Sequence, residues 1–294
     1  MPSYDDYQLI AVQAEGRIVT ASVSNGPMNL ITGELLGELD RLTVEVEADS
    51  DALVLVLKSA TPGFFICHAR FDNLGALRTE STPVSVEDVP MNPVQRLCER
   101  LRSMDKVTIA QVEGRTTGGG AAIAMACDLR YAAIGGAVFN SFGVSIGTGL
   151  GGGGSVFLPR LVGRSRAMEV ILAGLDLDAV TADVWGYVTR SLPAGEIDGY
   201  VHTIANRIAM SVPDVIRRTK GLVAGSENLT IEDGLRAENF SMQLTAGTPA
   251  AVEALAAFLE LGGETIEGEQ RMEELLGDVL VKTGSASSAA REEE

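Results

Sequence analysis

Basic residues are scarce in this 294-residue chain: 23 Lys and Arg stand against 40 Asp and Glu, a net charge of −17. That balance excludes nucleic acid as a main partner, because binding a phosphate backbone needs clustered Lys and Arg. It also disfavours docking on an anionic membrane surface. Aromatic residues make up only 5%, with a single Trp, and there are two histidines. Cysteine is sparse as well. Cys67, Cys98 and Cys127 are an odd set in a long chain, which fits reduced thiols better than a disulfide framework. Cys67-His68 and Cys127 do not make metal-ligand spacing, so neither a metal nor a resident cofactor is expected. No stretch reaches the roughly 18 uncharged apolar residues of a membrane span. The start, MPSYDDYQLI, carries two acids where a secretory leader carries a basic region. These absences together describe a soluble, cytoplasmic globular protein.

What the chain does have is apolar residues (46%) and 33 glycines, above the usual glycine share of about 7%. Residues 7–13 and 17–24 alternate around Glu15-Gly16, which predicts an opening β-hairpin. Apolar residues at helical spacing follow over 32–47, with Thr32 as N-cap. The runs 52–58 and 107–112 are nearly continuous and apolar, as in strands buried on both faces. A helix is expected near 91–104 and a buried helix over AAIAMACD after Gly118–Gly120, then strands over 129–133 and 138–146. From about residue 153 the pattern is mostly helical, with helices over 229–246 and 249–261. Alternating buried strands and helices argue for an α/β fold with a helical C-terminal part. Residues 250–294 hold 11 acids and 3 bases, a net −8, and the final TGSASSAAREEE reads as a disordered tail.

Two glycine-rich segments could carry chemistry. Thr117-Gly118-Gly119-Gly120 stands between a buried strand and a buried helix. Small residues before a helix leave backbone N–H groups free, which suits a phosphate or a developing oxyanion. Neither a dinucleotide fingerprint nor a P-loop pattern is present. Close helix–strand packing explains the same glycines structurally. The second segment, Gly147–Gly154, reads as a flexible loop.

A set of motifs in order then carries a resemblance: Pro27-x-Asn29, Leu53–Lys58 leading to Phe65-x-Cys67-x-Ala69, and Val112-x-Gly114 running through Gly118-Gly119-Gly120 to Ala126-Cys127-Asp128. LPRLVGRSRAMEVILAG completes the set. Together these resemble the crotonase (enoyl-CoA hydratase/isomerase) superfamily over about residues 7–260. The resemblance implies a spiral of ββα units over 1–200, a helical trimerisation region over 201–262 and an acidic extension over 263–294. It implies a homotrimer or dimer of trimers. It also implies an oxyanion hole of two main-chain donors, Ala69 N–H and Gly119 N–H, around a thioester carbonyl, worth on the order of 3–4 kcal/mol per donor.

The departures from that pattern matter most. Hydratases of the family place glutamates where this chain has Ala122 and Gly143, and residues 129–168 contain no Asp, Glu, His, Lys or Cys. Hydrating a double bond needs one group to activate water and another to protonate carbon, so an ordinary hydratase is not expected. His68, beside the proposed donor Ala69, is either a general acid or base or a structural hydrogen-bonding residue. Arg70 and Asp72 either pair with each other or hold a polar substrate. Asn140, Ser141 and Ser145 are the polar groups near the vacated glutamate position, suited to hydrogen-bonding a substrate. Asp128 reads as structural. The polar segment 75–92 stands where relatives carry a lid, with Glu80, Glu87 and Asp88 as possible acids. The usual basic pair that holds CoA phosphates is replaced by Phe258-Leu259-Glu260-Leu261-Gly262, leaving acyl-CoA, a carrier-bound acyl group or a free carbonyl compound as substrates. The expected function is enolate or oxyanion stabilisation in an isomerase, lyase or decarboxylase, C–C hydrolase or cyclase reaction. The alternatives are a non-catalytic binding or assembly subunit and a hydratase with relocated acids.

Overall fold

In the computed structural model, which describes residues 4–71 and 85–292, the chain opens with the expected hairpin. Strands β1 (Ile10–Glu15) and β2 (Ile18–Val23) pair antiparallel, from Ile10 against Val23 to Glu15 against Ile18. Helix α1 (Gly33–Ala48) follows, capped by the Thr32 side chain, which accepts from Leu35 N–H. Leu35, Leu39, Leu42 and Val46 are buried at helical spacing along its inner face. Each fully buried Leu contributes about 1.5–3 kcal/mol. That outweighs the weak helix propensity of Thr43, Val44 and Val46, which costs a few tenths of a kcal/mol per residue at about 0.7 at most.

The rest of the first unit is β3 (Val54–Ser59), α2 (Pro93–Ser103), β4 (Val107–Val112), β5 (Arg115–Thr117) and α3 (Gly119–Ala126), then β6 (Leu129–Ile134) and β7 (Val138–Asn140). It continues through α4 (Gly154–Val162), α5 (Arg164–Ala173), β8 (Leu177–Asp178), α6 (Ala179–Trp185) and β9 (Arg190–Pro193). One sheet has the order β1-β2-β3-β4-β6-β9, parallel from β2 onward, and a second has the order β5-β7-β8. Two strands and a helix recur as β1-β2-α1, β4-β5-α3 and β6-β7-α4. This is the ββα spiral that the resemblance implies. All six residues of β4 are buried, Thr108 and Gln111 included, as expected of a nearly continuous apolar run covered on both faces.

Asp128 is structural, as expected. Its Oδ2 accepts from Thr108 N–H (2.8 Å) and Oγ1 (3.0 Å), and its own N–H donates back to Thr108 Oγ1 (3.0 Å). That clasp fixes the C-terminal end of α3 to the start of β4.

Three sequence expectations are corrected. The segment 138–146 is not one strand: β7 ends at Asn140 and Gly143–Ile146 is a 3-10 turn. Thr148 N–H (3.0 Å) and Oγ1 (3.1 Å) both donate to Gly143 O, closing a local loop that competes with strand pairing. Strands β8 and β9 lie in a region read as helical, because two and four residues are too short to show alternation. The tail read as disordered from its composition is helical as far as Glu292. Ala and Ser extend an existing helix at little cost once its first turns are formed.

Helix α7 (Ile197–Ala209) carries the chain from the first compact unit, Met1–His202, into the second, Thr203–Glu294. His202 is exposed on it. The second unit contains α8 (Pro213–Gly225), α9 (Ile231–Thr245), α10 (Pro249–Glu260), α11 (Ile266–Gln270) and α12 (Met272–Glu292). Thr230, Thr248 and Thr265 cap three of these helices through their hydroxyls. Among its described residues one small buried cluster is formed by Ala257, Leu275 and Val279, while Ile231, Leu235, Phe240 and Leu255 are exposed. Among the described residues no helix is long and apolar enough to cross a membrane.

Candidate functional site

The site is built around the segment Ile66–Arg70, which is stitched to its surroundings on both sides. On one side Cys67 N–H donates to Asn29 O (3.0 Å), Ile31 N–H to His68 O (3.1 Å) and Arg70 N–H to Ile31 O (3.0 Å). On the other, His68 N–H donates to Thr117 Oγ1 (3.1 Å) and Thr116 Oγ1 donates to Ile66 O (2.6 Å). Asn29 anchors the whole arrangement. It is fully buried at φ +51°, its Nδ2 donates to Phe65 O (2.7 Å) and Ser59 Oγ (2.8 Å), and its Oδ1 accepts from Asn25 N–H and Thr61 Oγ1. The sequence shows Asn29 only as part of a motif; its left-handed backbone and five side-chain partners, Val23 O among them, are what the motif is for.

Pairing of this kind presents alternate residues to opposite sides. Ile31 takes the backbone groups of His68 and Arg70, so Ala69 turns its N–H the other way, where it meets no acceptor among the described residues. Gly119 is the first residue of α3, and its N–H also lacks an acceptor there. The segments carrying these two donors are in close contact. A Cβ on Gly118 would lie 3.0 Å from His68 Cβ, and one on Gly120 would lie 1.9 Å from Ile66 O. Gly118 adopts φ +53°, a backbone that glycine takes without strain and that starts the helix at Gly119. Its N–H donates to Asn140 O (3.0 Å).

His68 is half-buried, and its ring contacts define its surroundings. It stacks on Phe71 at 4.8 Å between centroids and meets Phe142 edge-on at 5.1 Å. Its Nδ1 lies 2.9 Å from Ala69 O. A carbonyl only accepts, so Nδ1 carries the proton in the neutral ring and Nε2 keeps a lone pair. Phe142 immediately precedes Gly143, the vacated acid position. The other vacated position, Ala122, is buried, and a Cβ on Gly152 would come within 2.8 Å of Ala122 Cβ. The backbone of the glycine-rich loop therefore fills the room a longer side chain at 122 would need. That loop is tied down by Asn92, the N-cap of α2, whose Nδ2 donates to Gly151 O (2.7 Å).

The remaining residues singled out from the sequence fall elsewhere. Arg70 is exposed, with its charge near Glu34. Asp72 and Glu80 lie outside the described residues. Glu87 and Asp88 are exposed, and Asp88 accepts from Ser85 N–H (3.0 Å). Ser141 is buried near Gly154, and Ser145 is exposed with its Oγ against Gly174. The Asn140 amide is committed to structure: Nδ2 donates to Gly174 O (2.9 Å) and to Asp176 Oδ1 (2.8 Å). Asp176 also accepts from both terminal guanidinium nitrogens of Arg115, Nη1 to Oδ1 at 2.9 Å and Nη2 to Oδ2 at 2.6 Å. Asn140 thus serves the site through its main-chain oxygen. Phe71, Phe142 and Asn92 were not singled out from the sequence; only Asn92 leaves a readable signal there, as Asn-Pro-Val-Gln, a capping box.

The hydrogen bond from Arg115 is the largest effect on the Asp176 carboxyl and, with help from Asn140 and the Arg115 charge, holds it below its ordinary range against the opposing effect of burial. A depressed folded-state pKa contributes stability that is present above the unfolded value, about 3.9, and is lost as pH falls through the folded one. The urea midpoint is therefore expected to drop below about pH 4. In Asp176→Asn the drop over that window should be shallower; an identical pH profile would show that the pair contributes nothing.

The comparisons with known proteins bear on the family and the fold. A family model described as Enoyl-CoA hydratase/isomerase matches residues 15–268. The chain is 32% identical over 232 residues to a probable mitochondrial enoyl-CoA hydratase 2 of Arabidopsis thaliana, covering 79% of this chain and 75% of that one. It is 26% identical over 272 residues to 4-chlorobenzoyl coenzyme A dehalogenase-1 of an Arthrobacter species, covering 88% and 92%. Among solved structures it resembles Pseudomonas aeruginosa DspI, with TM-score 0.78 and 27% identity over 88% of this chain and 97% of that one. It also resembles a putative enoyl-CoA hydratase from Streptomyces avermitilis, with TM-score 0.67 and 33% identity over 93% and 99%. With the ββα spiral and the contact between the 66–70 segment and the start of α3 already in place, the match over residues 15–268 shows that the chain belongs to the enoyl-CoA hydratase/isomerase family, the crotonase superfamily.

Proposed function

We propose that this protein holds an enolate or tetrahedral oxyanion of a thioester or other carbonyl substrate between Ala69 N–H and Gly119 N–H, and that His68 moves the proton. The observation that carries the reading is the pair of N–H groups without acceptors, on two segments packed together at His68 and Gly118. In this reading His68 Nε2 removes a proton next to the carbonyl, the electron pair becomes the enolate held by the two donors, and the imidazolium returns the proton elsewhere. Isomerisation, decarboxylation or other C–C bond cleavage, and cyclisation all pass through such an anion. Ordinary hydration needs a second group, and Ala122 and Gly143 supply none.

Crotonyl-CoA tests this directly. Its hydration is expected to be slower than in an ordinary hydratase by about 10²–10⁴, the contribution of one acid or base. Turnover at the ordinary rate would overturn the reading. The hydratase names of relatives 32% and 33% identical favour a second reading, hydration with His68 doing the work of both glutamates. A 3-hydroxyacyl product formed at the ordinary rate would support it.

The acyl carrier follows from charge. Glu260, at the end of α10, pairs with Lys282 at 2.6 Å, in an acidic segment where the resemblance implies basic residues. That favours a carrier-bound or free carbonyl substrate over CoA, whose phosphates would be repelled. The exposed Ile231, Leu235, Phe240 and Leu255 support a homotrimer or dimer of trimers. Three unbonded cysteines, all buried, support a reducing compartment such as the cytoplasm.

A further inference from the structure

We propose that the acyl group taken beside the anion hole is uncharged and carries an aromatic ring, which packs against Phe71 and Phe142. This rests on the anion-hole reading, since the ring is placed relative to a carbonyl held at Ala69 and Gly119. The observation is a corner made of aromatic rings. His68 and Phe71 are stacked with 26° between their planes. Phe142 stands nearly perpendicular to both, at 86° to His68 and 71° to Phe71, with centroids 5.1 and 6.3 Å away.

The corner is conspicuous in a chain with 8 Phe, 5 Tyr and 1 Trp. Phe65 and Phe139 are fully buried in the core, but Phe71 is 45% exposed, two residues beyond Ala69. Phe71 stacks on His68 with one face and keeps nearly half of its surface exposed. A flat ring meets such a corner in the two arrangements aromatic groups prefer, offset stacking on one wall and edge-on contact with the other. A saturated group of equal size gains only the area term.

Charge narrows the choice further. Between Tyr131 and Pro159 there is no charged side chain. Val144 and Ile146, next along the chain from Phe142, are exposed and apolar. Arg70, on the opposite flank, has its charge near Glu34. A carboxylate or phosphate on the acyl group would find no counter-charge in the segment that carries Phe142.

The test uses the full chain and two N-acetylcysteamine thioesters that differ only in their ring, 3-phenylpropanoyl and 3-cyclohexylpropanoyl. Both are saturated next to the carbonyl, so dissociation constants can be measured by calorimetry without turnover by hydration. The phenyl ester is expected to bind about three- to tenfold more tightly, although the cyclohexyl ester is the more hydrophobic. Phe71→Leu and Phe142→Leu keep apolar volume, and each should reduce that preference. Phe71 is partly exposed, so its variant tests the idea even if Phe142→Leu fails to fold. Equal binding of the two esters, or a phenyl preference that survives in the folded variants, overturns the aromatic assignment and leaves the anion hole standing. Binding of neither ester overturns both.

Discussion

Replacing His68 by Ala is expected to lower kcat by about 10²–10⁴, the span of a lost general acid or base, while leaving thioester binding nearly unchanged. The asymmetry of the ring's contacts is the reason. Nδ1 is engaged with Ala69 O, so Nε2 alone is left to exchange a proton, and the ring cannot turn without giving up that bond and its stack on Phe71. No substitute stands in the nearby segment, because residues 129–168 offer only Arg, Asn, Ser, Thr and one Tyr as polar side chains. His68→Gln is the companion variant: it keeps a hydrogen-bonding side chain but cannot carry a proton between substrate positions, and it should be as inactive as the Ala variant. If His68→Gln restores turnover, the histidine is a structural hydrogen-bonding residue. If both variants turn over normally, it has no part in the mechanism.

Gly120→Ala should have the largest effect on the site and the fold together. The added methyl would lie 1.9 Å from Ile66 O, 2.4 Å from Ile66 C and 3.0 Å from Cys67 O. These are main-chain atoms, with no rotamer into which they can retreat. Overpacking ordinarily costs about 1–3 kcal/mol, and the absence of a flexible neighbour puts this substitution at about 3 kcal/mol or more in urea unfolding. The methyl fits only if α3 and the 66–70 segment move apart. That motion separates Gly119 from Ala69, so kcat should fall by about 10²–10³, as when one oxyanion donor is lost. Gly37→Ala, in the middle of α1 with nothing within 4 Å of the new methyl, is the control. It should stabilise the protein by about 0.4–1 kcal/mol and leave kcat alone. Full activity in a folded Gly120→Ala protein would show that the contact between these segments does not set the hole.

Much of this arrangement could be read before the fold was known, and what could not had a physical cause. Helix α3, β4 and the hairpin declare themselves through unbroken or periodic apolar runs. The proposed donors Ala69 and Gly119 were assigned from motif position, and the glycines at 118 and 120 follow from the closeness that α3 demands. Phe142 was hidden because the segment 138–146 alternates like a strand. Its break at Gly143 comes from the Thr148–Gly143 hydrogen bonds, a contact that propensity does not record. Asn140 looked like a substrate ligand because polar residues near a vacated acid invite that reading. Its amide faces Gly174 and Asp176, more than thirty residues later in the chain, and no local pattern announces such a partner. Gly152, which fills the room beside Ala122, was legible only as part of a flexible loop.

Both donors of the proposed anion hole are main-chain N–H groups, and no codon specifies a main-chain N–H. Every residue except proline supplies one, so almost no point mutation at 69 or 119 deletes the donor by itself. In the proposed reading the proton moves through a side chain, that of His68, and positions 68, 122 and 143 are each open to single substitutions that add or remove such a group. Heritable variation in such a protein can therefore rewrite where protons go while the capacity to hold a negative oxygen persists. A lineage can pass through changes of substrate and reaction without first losing the site that makes any of them possible.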